Sequence, residues 1–234
     1  MNITKRAWTN LMLAPLWFLI LIITATIYFN AIGVEEKDIP DKITANTPLL
    51  ILMVQVLIFV TLLFYTRKDH FNIFKTGWAI DKTKLPMDII GGIITGTTIA
   101  LLYFYVLSPF QYYLQLSLGD YVPPGETMHA LGQQTVLFFI ANVLFAPFVE
   151  ESLYRNYALS KFLEKYSPNK SIILTAILFG LLHWVGGIWY ILMTGIIVGL
   201  PFAYIAIKRG NIVWVFIAHF TLNLLEFIYI TSQN

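Results

Sequence analysis

Apolar residues in this chain come in long blocks with short polar stretches between them. Taken as helices, the blocks predict seven spans, at about residues 11–29, 49–65, 88–107, 135–155, 171–185, 188–207 and 212–230. Helical blocks of about 17–20 residues reach across roughly 30 Å of hydrocarbon. The fifth block is short, and Gly186-Gly187 supplies a tight turn into the sixth. The third can run on through 111–118, an aromatic stretch that otherwise suits the membrane interface. The pattern therefore predicts an all-α polytopic membrane protein with about seven transmembrane helices.

Composition agrees. Of the 234 residues, 58% are hydrophobic and 12% charged, against about 25% charged in soluble domains. The distribution of charge adds orientation. Lys5 and Arg6, the lysines and arginine of 67–84, those of 155–170, and Lys208 and Arg209 all fall in alternate loops. The opposite loops hold Lys37 and Lys42 beside four acids, and a segment, 108–134, with no lysine or arginine. By the positive-inside rule the N-terminus is cytoplasmic and the C-terminus outside, as an odd number of spans requires. The first block is too long for a signal h-region and lacks a small-x-small cleavage site, so it reads as a retained anchor. A net charge of +2 gives no reason to expect a nucleic-acid partner; the lipid bilayer is the partner the composition implies. With no cysteine, disulfides, thiolate metal sites and a cysteine nucleophile are excluded.

Several local features have a simple structural reading. Gly92-x-x-x-Gly96 and Gly195-x-x-x-Gly199 predict close helix approach. The stretch 68–86, which mixes Phe71, Phe74 and Trp78 with lysines, reads as an aromatic belt with solvated lysines. His70 and His129 read as solvated loop side chains. Pro147 lies three residues before Glu150, where a break in the helical ladder could open space.

The chemistry concentrates in Glu150-Glu151-Ser152-Leu153-Tyr154-Arg155. An acid at mid-bilayer costs roughly 2.5–3.5 kcal/mol on insertion scales, so two adjacent ones need a reason. Residues four apart share a helix face. Glu151 and Arg155 are thus spaced as an ion pair, while Glu150 shares its face with Tyr154 and has no charged partner. Further spans carry His183, four residues after Phe179, and His219 with Asn223 four residues on. Glu226 shares the face of the last two, and an outer-interface position suits it at least as well. One carboxylate, two imidazoles and one carboxamide on three helices supply a general base, a proton carrier and hydrogen-bond donors. Depth imposes a condition: the Glu150 helix must run on to about Ser160, because stopping at Arg155 would leave the carboxylate too shallow.

At these residues the sequence resembles the CAAX protease and bacteriocin-processing family (CPBP, formerly Abi), whose members include the type II CAAX prenyl endopeptidases. The family pattern is EExxxR, FxxxH and HxxxN on successive helices. Here it is matched by Glu150-Glu151 with Arg155, by Phe179 with His183, and by His219 with Asn223, within the last four predicted spans. The resemblance covers about 135–230. It implies a catalytic core there, preceded by an N-terminal three-helix region, 1–134, where nothing specific is matched. It further implies a peptide-bond hydrolase in which Glu150 activates water beside His183. His219 and Asn223 would hydrogen-bond the oxyanion, and Glu151, Arg155, Tyr154 and Phe179 would support them.

The resemblance leaves the metal question open. Glu150, His183 and His219 are an adequate ligand set for zinc, but the HExxH helix signature is absent. The expectation is that no metal is obligatory and that zinc is possible. The chain looks bacterial, so the expected location is the plasma membrane and the expected substrates are secreted or membrane-associated peptides and proteins. An alternative is a non-catalytic immunity or regulatory protein that keeps the fold and acts on a membrane partner; the intact motif set favours catalysis. A transporter is disfavoured, because no internal repeat is visible.

Overall fold

The computed structural model describes residues 3–124 and 134–232, so His129 lies outside the described residues. Among these, every regular element is helical. Seven principal helices follow one another: α1 (Ile3–Ala31), α2 (Thr47–Lys68), α3 (Leu85–Leu118), α4 (Thr135–Leu163), α5 (Pro168–Leu182), α6 (Ile188–Arg209) and α7 (Val213–Ser232). All but α5 are long and apolar enough to cross a membrane. The third apolar block does run on through 118, as one helix.

α4 is the axis of the bundle. Of its most apolar stretch, 56% is buried inside the protein, against 17% for α1 and 28% for α2. It packs against α1, α2, α5, α6 and α7, which explains why two adjacent acids on it avoid lipid. Around it, α1 lies on α2, α3 on α7, and α5 on α6. Missing side chains set the last two contacts. A Cβ on Gly92 would come 2.8 Å from the Trp214 carbonyl oxygen, and one on Gly96 would collide with that of Ala218. On the other side, a Cβ on Gly199 would sit 3.0 Å from Ala176 Cα. Both small-residue pairs are therefore helix contacts, as the spacing predicts.

α4 is not a uniform α-helix. Two wide, π-type stretches, Phe139–Phe145 and Ser152–Ala158, flank the α-helical turn Ala146–Glu151 that carries both carboxylates. Widening of this kind commonly marks a functional site. Pro147 accounts for the first stretch: its ring crowds the carbonyl four residues back, and it has no N–H to donate. The helix then continues past Arg155 to Leu163, placing Glu150 about 20 Å from that end at roughly 1.5 Å per residue. The depth condition is met.

The stretch after α2 departs from the aromatic-belt expectation. Its lysines are exposed, but Ile73 and Gly77 are buried and Trp78 turns inward. Trp78 Nε1 donates to Ser152 Oγ at 3.0 Å, Asn156 Nδ2 to the Ile73 carbonyl at 2.7 Å, and Ile212 N to the Gly77 carbonyl at 2.9 Å. This segment plugs the end of the bundle beneath the second wide stretch of α4, because unpaired backbone there finds polar partners on α4. His70 is exposed, as expected of a loop histidine.

Candidate functional site

Glu150 and Glu151 leave α4 in different directions, and both are buried. Glu150 Oε1 accepts a hydrogen bond of 2.7 Å from Gln55 Nε2 on α2. Its other oxygen, Oε2, has no hydrogen-bond partner; it faces His219 Nε2 at 3.9 Å and His183 Nε2 at 4.0 Å. The Glu150 carboxylate is thus held by one oxygen and left open at the other.

Each imidazole is oriented through its far nitrogen. α5 ends at Leu182, and the His183 backbone N–H bonds the Gly180 carbonyl, three residues back. That leaves the Phe179 carbonyl as one of the orphan acceptors of a helix end, and His183 Nδ1 takes it at 2.9 Å. A carbonyl only accepts, so Nδ1 carries the proton and Nε2 is the atom presented to Glu150. The four-residue spacing of Phe179 and His183 is therefore a backbone-to-ring bond as well as a shared face. His219 is turned the same way by a carboxylate, with Nδ1 2.8 Å from Glu151 Oε1.

Glu151 consequently does more than pair with Arg155. Its Oε1 accepts both from His219 and, at 3.1 Å, from Arg155 Nη1. The guanidinium lies 3.9 Å above the Phe179 ring and 5.5 Å from that of Phe202, which offsets part of the cost of a buried cation. Phe179 also meets His183 edge-on, ring centres 4.8 Å apart, and Tyr154 at 5.2 Å. The predicted Glu150–Tyr154 face does not bring these two side chains into a hydrogen bond. The Tyr154 hydroxyl instead donates to the Leu178 carbonyl at 3.3 Å, and its ring packs edge-on against Phe179.

Asn223, the remaining predicted site residue, donates from Nδ2 to the Asn142 carbonyl at 2.8 Å. The wide stretch of α4 explains why that carbonyl is free. Ala146 N–H bonds Ala141 rather than Asn142, and the next residue, Pro147, has no N–H to offer. Asn223 fills the vacancy in the ladder and is thereby held beside His219.

His183, His219 and Asn223 share the wall of a cavity of about 50 Å³ with Tyr103, Tyr190 and Glu226. Glu226 accordingly faces this cavity rather than the outer interface. Reading the sequence missed Gln55, a lone carboxamide in an otherwise apolar span, which the rule that singles out intramembrane polar groups would have flagged. It also missed the acceptor on Asn142, whose signal was Pro147, five residues on.

Two imidazole Nε2 atoms and a carboxylate are ligand types that zinc accepts, and partners on Nδ1 of the kind seen here orient ligating histidines. The spacing is wider than such a site. Donors 3.9 and 4.0 Å apart exceed the separation of about 3.3 Å that tetrahedral bonds of roughly 2.0–2.1 Å would give. Among the described residues no group of three metal-binding side chains is spaced to hold an ion. The donor chemistry suits zinc and the spacing does not.

Fold and site together define a multi-pass integral membrane protein with an acid–imidazole cluster enclosed by its helices. Residues 132–225 are similar to the model of the type II CAAX prenyl endopeptidase Rce1-like family, a span that includes Glu150, His183, His219 and Asn223. No curated protein sequence and no solved structure gives a significant match.

Proposed function

We propose that the chain is an intramembrane endopeptidase that hydrolyses a peptide bond of a membrane-associated or secreted substrate, with water activated by Glu150. The observation that carries this reading is the open Glu150 Oε2, set 3.9 and 4.0 Å from two oriented Nε2 atoms. A single water molecule placed in that gap would be within hydrogen-bond reach of each.

In this mechanism Glu150 takes a proton from the water as its oxygen bonds to the carbonyl carbon. The carbonyl π bond opens to an oxyanion, which accepts hydrogen bonds from the second Asn223 N–H and from His219 Nε2–H in its doubly protonated form. Glu151 faces the other nitrogen of that imidazolium and stabilises its charge, as a buried carboxylate does for a catalytic histidine. Glu150, Glu151, Arg155 and a cationic His219 together carry no net charge. His183 holds the water from its second side. Collapse of the tetrahedral intermediate breaks the C–N bond, and the proton held by Glu150 passes to the leaving amine.

The test compares peptide termini, membrane-bound and secreted, between cells carrying the wild type and cells carrying Glu150→Gln at equal protein level. Termini present only with the wild type support the reading. Identical termini, with the mutant still rescuing a deletion phenotype, replace it with a binding-partner role.

A further inference from the structure

Glu226 lies outside the set that the hydrolytic mechanism uses. It stands on α7 one turn beyond Asn223, half-buried, on the wall of the cavity that His183, His219 and Asn223 also line. Among the described residues no hydrogen bond or ion pair engages its carboxylate, and no lysine or arginine lines the cavity. The chain has no lysine or arginine anywhere in 108–134, on the side of the bundle toward which α7 runs past Asn223. Arg155, the arginine of the EExxxR stretch, is committed to Glu151. Of the groups lining the cavity only the imidazoles of His183 and His219 can carry positive charge, and these are oriented on the Phe179 carbonyl and on Glu151, so a cationic group entering the cavity would be attracted to the Glu226 carboxylate.

The neighbours of Glu226 suit a cation. Tyr103 from α3 and Tyr190 from α6 line the same cavity, their rings edge-on with centres 6.3 Å apart. A carboxylate beside aromatic rings is the chemistry that binds ammonium and guanidinium groups. Tyr190 also connects this end of the cavity to the site, since its ring meets that of His183 at 5.8 Å. Along α7 the rise from His219 to Glu226 is about 10 Å. That is roughly the length of three residues of extended peptide.

We infer that Glu226, Tyr103 and Tyr190 form a specificity subsite that takes a cationic group of the peptide substrate, within about three residues of the scissile bond. The inference rests on the endopeptidase reading above and names the substrate class for that site. By the charge distribution of the loops, the subsite lies toward the non-cytoplasmic side of the hydrolytic residues.

The experiment digests a random-sequence peptide library with the purified full chain in detergent micelles and sequences the new termini, in parallel for the wild type, Glu226→Gln, Glu226→Asp and Glu150→Gln. Cleavage by the wild type should be enriched for Lys or Arg at one position near the cut. Glu226→Gln should lower the preference for those peptides about ten- to hundredfold against alanine-bearing ones, as expected for loss of a charge-assisted contact. Glu226→Asp, which keeps the charge, should retain the preference. A parallel library with acetylated N-termini separates the two sources of the cation: a preference that survives acetylation reads a side chain, and one that vanishes reads a free α-amino group. n-Butylammonium as a competitor gives a second readout that needs no variant, and it should inhibit the wild type where n-butanol at equal concentration does not. Glu150-dependent cleavage with the same profile in the wild type and in Glu226→Gln overturns the subsite and leaves the protease standing. No cleavage that depends on Glu150 overturns both.

Discussion

His219 Nδ1 lies 2.8 Å from Glu151 Oε1, while the other nitrogen of the same ring faces Glu150 at 3.9 Å. One imidazole on α7 thus spans two successive carboxylates of α4. Neighbouring residues on a helix point about 100° apart, so a ring with a nitrogen at each end is well shaped to address both. The second glutamate of the pair is therefore the anchor of the His219 ring as well as half of an ion pair.

This relationship separates the two acids experimentally. Glu150→Gln should lower peptidase activity about 100-fold or more, as for loss of a general base, while the melting temperature in detergent stays near that of the wild type. Glu151→Gln leaves Arg155 without its ionised partner in a buried place. It should cost about 3–5 kcal/mol of stability, seen as a lower melting temperature and less protein in the membrane. Equal stability of the two variants would contradict the assigned division of labour.

Gln55 makes a narrower prediction. Its amide is the hydrogen-bond donor to Glu150 Oε1, and a hydrogen bond to a charged group is worth about 1.5–3 kcal/mol. Gln55→Leu should lower kcat about ten- to hundredfold with little change in KM, because the contact orients the base and does not touch the peptide. A rise in KM at unchanged kcat would assign Gln55 to substrate binding instead.

The fold class, and the residues that the structure gathers around Glu150, were readable because their signals are local. Long apolar blocks define membrane helices whatever their partners, and four-residue spacing puts Glu151 against Arg155 on any helix. What one span does to another was not readable. Nothing in the neighbourhood of Gln55 says that it meets residue 150. The inward turn of Trp78 depends on a hydroxyl at 152 that periodicity leaves anonymous. Glu226 could face lipid headgroups or a cavity equally well until the packing of α3 and α6 on α7 closed around it. Tyr154 shows the opposite failure: the shared face with Glu150 was real, and the hydroxyl still found a nearer acceptor in Leu178.

Pro147 links local sequence to site geometry in a way that can be tested. Replacing it with alanine supplies an N–H that can compete for the Asn142 carbonyl, the acceptor that now holds Asn223. Pro147→Ala should lower kcat several-fold without lowering the melting temperature, since it removes a helix breaker. Unchanged kcat would mean that the freed carbonyl is not what positions Asn223.

Metal dependence follows from the spacing of Glu150, His183 and His219. If catalysis uses these side chains on water alone, as proposed, prolonged dialysis of the purified protein against a chelator should leave activity within about twofold, and added zinc should not raise it. Loss of activity on chelation and its return with stoichiometric zinc would show that the three groups close around an ion, contracting by about half an ångström to reach bonding geometry.

The loop after α3 offers a pH prediction outside the membrane-spanning segments. Asp120 Oδ1 accepts from the backbone N–H of Ile188, at the start of α6, at 2.9 Å, and from that of Tyr121 at 2.7 Å. Burial alone pushes this carboxyl up, but those N–H groups and the Gln115 amide outweigh it and hold it below its ordinary value of 3.8. Gly187, at φ +96°, leaves room for the carboxylate where a Cβ would collide with it. A carboxyl whose folded value is depressed stabilises the fold fully above the unfolded value, and that contribution is lost as pH falls through the folded one. Asp120→Asn should therefore lower the melting temperature at neutral pH, and the difference from the wild type should shrink below about pH 4. Because α6 carries Tyr190 to the ring of His183, the same variant should also loosen the cavity and raise KM at neutral pH. A melting difference that stays constant from pH 7 to pH 3 would show that the carboxylate does not pin the loop to α6.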